Sequence, residues 1–532
     1  MTRVTTALRS PINKTVSSRC DPKPGSLTGG RGSVLGWSAI GKSTSDLPVT
    51  LARPQSHRGI RVRKNHSVYL PVLSAITDTI LMHSWQDHGL TERSRAMPVE
   101  TKSLVRAIGR WSLSALMLNT IIGASIFGLP SLLAARLGKF SPAGYLVTAV
   151  GIAAIAACLA EVASQFREAG GPYLYTRVSF GPFAAIQIGW LTWLTRIVAS
   201  AAAADLFVSY LAQFFPAVEA WAVRTMVLGM LIGFLAVVNY LGVTSGTRLS
   251  NFFTITKVLV ILLFIVGGLM ALLLRPAVRV IPQAMSVTSK NWLAAVLLMI
   301  NSFGGFEAAL FASGETRDPR KDAPIALLIA LTTATFLYVS VQYIVIHTLP
   351  TATTAAKPVA DAAQHFLGSF GSSLIAAGAL ISVYGYLSAN MLHTPRLTFA
   401  MGEQGDFPAF FAAVHSRFHT PYVSIVSFAV LLIIFSVAGN YEWNAILSAI
   451  SRLFIYASIA AALPVLRRKQ PHADAFRLPV GMFFVVLALL FTGVLVVNIR
   501  LGGPFVLAVT FALASLNWLW RNRHSGTPSA QP

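Results

Sequence analysis

A chain of 532 residues in which 54% are hydrophobic and only 11% charged, with a mean hydropathy of +0.64, fits a polytopic membrane protein and excludes a string of soluble domains. The net charge of +23 would point to nucleic acid in a soluble protein. Here the basic residues gather in short loops between apolar segments, where they read as topology signals. The only cysteines, Cys20 and Cys158, lie in a polar tail and an apolar segment, so neither a disulfide framework nor a metal cluster is implied.

In chain order, residues 1–95 are rich in Ser, Thr, Pro, Gly and Arg without a sustained helical or strand period, which predicts a disordered basic extension. Its one apolar patch, Tyr69–Trp85, is broken by Asp78 and too short to span. The chain does not open on the basic, apolar and small-residue order of a cleavable signal peptide. Apolar segments then recur and predict spanning helices near 112–135, 143–165, 182–212, 221–242, 251–273, 292–313, 324–348, 370–394, 422–439, 443–466, 479–499 and 502–520. About 12 spans put both termini on one side. The loops on that side hold Arg106, Arg110, Arg317, Arg320, Lys321, Arg467, Arg468 and Lys469, among others. The opposite loops hold far fewer bases, chiefly Arg136, Lys139, Arg224 and Arg275, so both termini are expected in the cytoplasm.

Two of these spans are interrupted. Asn119–Pro130 packs Gly123, Ala124, Ser125 and Gly128 together just before Pro130. Asn291–Ser313 is broken by Ser302–Glu307, with paired glycines and a carboxylate where hydrocarbon is expected. Backbone freed at membrane depth is tolerated only against protein or a watery cavity, so two such breaks predict a solute site. They fall in the first and sixth spans. Five helices per repeat would make each break open its own unit, the two units running in opposite directions, with spans eleven and twelve outside. The alternative is that the glycines serve only close helix packing. The sequence has no ATP-binding loop, zinc motif or serine-hydrolase elbow, so no catalytic residue, metal ligand or cofactor is expected, and an enzyme is the least favoured class.

At these breaks the chain resembles the amino acid–polyamine–organocation transporter superfamily, whose first and sixth helices unwind at a Gly-small-Gly and a Phe-Gly-Gly-Phe-Glu motif. The resemblance covers nearly everything after Met97. Ala160–Tyr175 is similar to the family's Ala-Glu-Leu…Pro-x-Ala-Gly-Gly-x-Tyr-x-Tyr signature, with Arg167 in place of a proline. Gly314–Pro324 is similar to its Glu-x-x-x-Pro-x-x-x-x-Pro loop, and Pro358–Ala362 and Pro395–Pro408 match as well. The resemblance implies an all-α membrane protein of the leucine-transporter type, a five-plus-five inverted repeat with two extra C-terminal helices. The implied activity is secondary transport of amino acids across the cytoplasmic membrane by alternating access, proton-coupled or uncoupled; an exchanger and a non-transporting sensor are the alternatives. The implied partners are the amino acid, the bilayer and, in the coupled case, protons, with no nucleic acid. Met97 begins a stretch like the family's cytoplasmic lead-in. It is therefore expected to be the true start, with residues 1–96 dispensable, 97–520 the transporter domain (repeats 112–273 and 292–466, then 479–520) and 521–532 a cytoplasmic tail.

An amino acid zwitterion leaves water favourably only if its carboxylate and ammonium both find oriented partners. N–H groups at the start of a half-helix suit a carboxylate, which singles out Gly123, Ala124 and Ser125. Ser125, where the family usually has glycine, either adds a hydroxyl donor or only caps the break. The resemblance implies the carbonyls of Ile121, Asn301 and Gly304 for the ammonium. Lys257, inside the fifth span, is a functional candidate because a buried charge is expensive, unless it snorkels to the interface. In family members without sodium coupling a lysine at this point fills the sodium position and braces the first helix. Glu307 is expected to receive backbone donors or pair with a base, holding the gate. Arg196 and Ser200 are similar in position to the family's pocket wall. Arg196 pairs internally, with Glu307 as the candidate partner, or faces the pocket, or packs away; an unpaired guanidinium would favour acidic or polar neutral side chains and a paired one small or apolar neutral ones, and neutral substrates are expected. Arg196 and Asp205 lie too far apart along their helix to pair, and Arg452 is expected merely to anchor the tenth span at the interface.

Overall fold

The computed structural model describes residues 110–166, 171–242, 247–282, 286–309, 319–470, 475–499 and 503–524. The extension 1–96, Met97, Arg167 and most of the loop after the sixth span lie outside the described residues. Among those described there are helices and no strands. In order they are α1 (Arg110–Ile121), α2 (Ser125–Leu137), α3 (Ser141–Ser164), α4 (Gly171–Phe180), α5 (Pro182–Leu211), α6 (Trp221–Tyr240) and α7 (Thr247–Leu274). There follow α8 (Ser289–Phe303), α9 (Phe306–Ala309), α10 (Pro319–Thr348), α11 (Pro358–Glu403), α12 (Tyr422–Ala438), α13 (Tyr441–Lys469), α14 (Gly481–Val497) and α15 (Gly503–His524). Eight helical segments are long and apolar enough to cross a membrane. The 17-residue α12 and α14 are apolar but shorter, about 25 Å at 1.5 Å per residue.

Local chemistry sets the ends. Proline stands in the first turn of α3 and α5, where its missing N–H costs nothing. Thr288 and Asn440 accept from the N–H groups of Asn291 and Trp443 and so cap α8 and α13. One face of α6 leaves Met226, Met230, Phe234 and Val237 exposed at helical spacing, a lipid-facing stripe.

The helices sort into two groups. Around the breaks, α10 packs against α1 and α3, and α8 against α2 and α3. Separately, α5, α6, α11 and α12 pack among themselves. Helix α13 lies along α5, and α7 packs against both α10 and α11.

Two features are absent from the sequence reading. A short helix, α4, precedes α5 through Gly181 at φ +89°, and residues 358–367 likewise precede the long part of α11 through Gly368 at φ +70°. Both junctions need the left-handed region that glycine enters without penalty. The eighth span, expected to end near 394, continues through Pro395 to Glu403, and α15 runs past position 520 to His524. A proline inside a membrane helix is tolerated where neighbours satisfy the freed carbonyl, so Pro395 was a poor stop signal.

Both interruptions are present. The chain leaves helical form over Ile122–Ala124 and again at Gly304–Gly305. Gly305 sits at φ +116°, and a Cβ there would stand 2.5 Å from the Thr120 carbonyl oxygen of α1. Both conformation and clearance therefore demand glycine. Gly305→Ala should cost about 1–3 kcal/mol and lower the thermal unfolding midpoint in detergent. Gly233→Ala, which meets nothing within 4 Å, should leave that midpoint unchanged or raise it slightly.

Candidate functional site

At the first break, helix α1 ends with carbonyl groups that have no amide of their own helix to receive. Lys257 of α7, 2% exposed, supplies the donor: its Nζ reaches the carbonyl oxygens of Asn119 at 3.1 Å and Ile122 at 3.0 Å. The lysine therefore does not snorkel. The Ile121 carbonyl accepts from the Gly123 N–H at 2.7 Å. The Tyr338 hydroxyl of α10 lies between that carbonyl, at 2.9 Å, and the Ser302 carbonyl of α8, at 2.8 Å. With one proton it can donate to only one of them at a time.

Across from it, Asn301 Nδ2 donates to Ser125 Oγ at 3.2 Å and ties the end of α8 to the start of α2. Ala124 and Ser125 are both buried. The ring of Tyr386 from α11 lies 3.4 Å from where a Cβ of Gly123 would stand.

The second break is held by Glu307. Its Oε2 accepts from the Gly305 N–H at 2.8 Å. Its Oε1 accepts a short hydrogen bond from the Arg452 guanidinium of α13, and Arg196 of α5 stands 3.8 Å from the same oxygen. Arg452 lies directly on Gly304, in space a Cβ there would need. At 2% exposed, it is no interfacial anchor: that expectation is corrected, because helix α13 turns the guanidinium inward onto a buried carboxylate. Asp205, as its spacing required, does not meet Arg196; it pairs with Arg224 at 2.6 Å and accepts from Asn444 at 3.2 Å. Ser200 is fully buried, and its hydroxyl has no hydrogen-bond partner among the described residues.

The structure thus brings Ile121, Gly123, Ala124, Ser125 and Lys257 to one break, and Gly304, Glu307 and Arg196 to the other, with Asn301 joining the two. Sequence reasoning missed Tyr338, Tyr386 and the inward face of Arg452. An ionisable residue inside an apolar segment was a signal for Arg452; the tyrosines carried none. Among the described residues no group of His, Cys, Asp and Glu could hold a metal ion.

The family model for amino acid permeases matches residues 108–515, which include both breaks and every residue of this site. The chain belongs to the amino acid permease family. It is 29% identical over 411 residues to the methylthioribose transporter of Bacillus subtilis (strain 168), covering 72% of this chain and 88% of that one. It is 29% identical over 428 residues to the branched-chain amino acid permease BcaP of the same organism, covering 75% and 89%. Against the serine/threonine exchanger SteT, also from that organism, the figure is 28% over 408 residues, covering 74% and 91%. The permease is accordingly a multi-pass membrane transporter, and its apolar helices are membrane spans.

Among the described residues of the permease, Glu307 is the carboxylate that Arg452 and Arg196 face, so removing its charge strands a buried guanidinium. Glu307→Gln should cost about 3–5 kcal/mol, read as a lower unfolding midpoint in detergent. Converting the pair together, Glu307→Gln with Arg452→Met, should recover more than half of that loss. A double variant no more stable than the single one would contradict the pairing.

Proposed function

We propose that the permease is a secondary active transporter that carries neutral amino acids across the cytoplasmic membrane by alternating access, proton-coupled or uncoupled. The observation that carries this reading is the pair of opposed helix breaks, braced from behind by Lys257. The substrate carboxylate would sit on the N–H groups that open α2, at Gly123, Ala124 and Ser125, where the helix dipole favours an anion. Its ammonium would be taken by carbonyls at the end of α8, at Asn301 and Gly304. The Ile121 carbonyl, already accepting from Gly123, is the most committed of the three acceptors.

The five-plus-five inverted repeat is supported by recurrence. Each proposed unit opens with a broken helix, and each has a short helix joined by a positive-φ glycine to its third span. The group around the breaks would rock against the α5–α6–α11–α12 group. Cytoplasmic termini rest on the distribution of bases among the loops. Selection for neutral side chains rests on Arg196 and Arg452: both guanidiniums stand at Glu307, so a cationic side chain would meet like charge. The branched-chain relative supports the neutral class, and the serine/threonine exchanger supports exchange as a second reading.

Uptake of a labelled amino acid panel into proteoliposomes, with and without a pH gradient, sodium and internal amino acid, separates these readings. Neutral amino acids should enter without any sodium requirement, and arginine should compete poorly. Lys257→Ala should lose at least about tenfold of the uptake, because two carbonyls in the membrane core lose their donor. Gly123→Val should abolish it by filling the break beneath Tyr386. Strictly sodium-driven uptake, or inhibition by arginine alone, would sink the proposal.

A further inference from the structure

Three spans meet at one corner of the bundle, away from both breaks. Helix α13 closes on Arg467, Arg468 and Lys469. Lys469 Nζ donates to the carbonyl oxygens of Val178 at 2.9 Å and Ser179 at 3.0 Å, at the end of α4. Gly181 then turns the chain into α5, where Phe183 in the first turn meets Trp518 of α15 edge-on, with ring centroids 5.1 Å apart. One turn beyond Trp518, Arg521 stands 2.7 Å from one oxygen of Asp406, and Arg177 of α4 stands 2.6 Å from the other. Lys469, Arg177 and Arg521 therefore converge from three helices on one elbow.

Positive charge is left over there. Asp406 is fully buried and answers two guanidiniums. Lys469 is exposed and meets two carbonyls but, among the described residues, no carboxylate. An ammonium has three N–H groups, so these carbonyls do not saturate it. Arg468 and Arg523 are further exposed bases at the ends of α13 and α15, set against the exposed Glu403 at the end of α11. The membrane side of the same corner is apolar: Phe180, Phe183, Leu519 and Trp520 are all exposed. Helix α15 has 22 residues and rises about 33 Å, close to the depth of the hydrocarbon core. Its last rings and the bases beyond them thus fall where a span meets the headgroups.

We propose that this corner, formed by the elbow between α4 and α5 and the ends of α13 and α15, binds the phosphate of an anionic phospholipid, whose acyl chains lie over the exposed rings. The inference rests on the membrane spans and is independent of which solute is carried. A free phosphate would engage the bases and leave the rings uncovered, whereas a lipid uses both. Phosphatidylcholine carries its own cation beside the phosphate, so the left-over positive charge of the corner discriminates against it.

Native mass spectrometry of the intact permease, titrated in detergent with phosphatidylglycerol or with phosphatidylcholine of identical acyl chains, counts bound lipid. The first phosphatidylglycerol should bind at a concentration at least about fivefold lower than the first phosphatidylcholine, and excess inorganic phosphate should not displace it. In Lys469→Gln/Arg521→Gln the two lipids should come to within about twofold of each other. Lys469→Gln alone, which leaves the Arg177–Asp406 pair in place, should give an intermediate ratio, and thermal unfolding reports whether each variant is folded. Arg275→Gln/Lys290→Gln removes the same charge between α7 and α8 and should leave the ratio as in the parent. Equal binding of the two lipids by the parent, displacement by inorganic phosphate, a ratio unchanged in the folded single and double variants, or an equal loss in Arg275→Gln/Lys290→Gln would each overturn the site. A dimer that carries no lipid in the same spectra would overturn it too, and would assign the exposed rings to a second copy of the chain.

Discussion

Backbone that leaves its helix inside a bilayer has no water to turn to, and the rest of this structure answers that constraint. Two helices are broken at membrane depth, and the freed groups are met by fixed side-chain donors and acceptors. Lys257 serves the carbonyls of Asn119 and Ile122, Tyr338 either that of Ile121 or that of Ser302, and Glu307 the N–H of Gly305. Lys257 and Tyr338 come from α7 and α10, and Glu307, two residues beyond Gly305, is itself held by Arg452 of α13, so the breaks exist only in the assembled bundle. The glycines permit the breaks, and these partners hold them.

Charge follows the same logic. Glu307 draws in Arg452 and Arg196. Away from the breaks, Glu161 of α3 accepts from Nε and Nη2 of Arg467, each at 2.7 Å. At the end of the bundle where α4 lies, the buried Asp406 accepts from Arg177 at 2.6 Å, lies 2.7 Å from Arg521, and receives the Tyr173 hydroxyl. Burial next to that carboxylate pushes the Tyr173 phenol well above its ordinary range. The first clamp ties α3 to α13, and the second ties α4 and α15 to the segment that follows α11, both away from the breaks.

The spans and both breaks were legible because a bilayer demands long apolar runs, and because Gly123, Gly304 and Gly305 contradict helix in the middle of them. Lys257 was legible for the same reason: a base deep in an apolar segment stands out. Partner choice was not legible. Glu307 and Arg452 lie far apart in sequence, and a helix with a modest turn error about its axis presents a different residue inward, which is why Arg452 read as a surface anchor. The short helices α4 and 358–367 escaped because they are too brief and too polar to carry a spanning signal. Pro395 misled because the rule that proline ends helices belongs to water.

Tyr338 carries one proton and faces two carbonyl oxygens, one from each broken helix. Its O–H bond can rotate toward either acceptor without the ring moving, so one helix end is always better served than the other. The two breaks are therefore competitors for a single donor. Anything that draws the carbonyl of one broken helix away leaves the hydroxyl proton to the other, so the two helix ends are linked through a rotation about one bond.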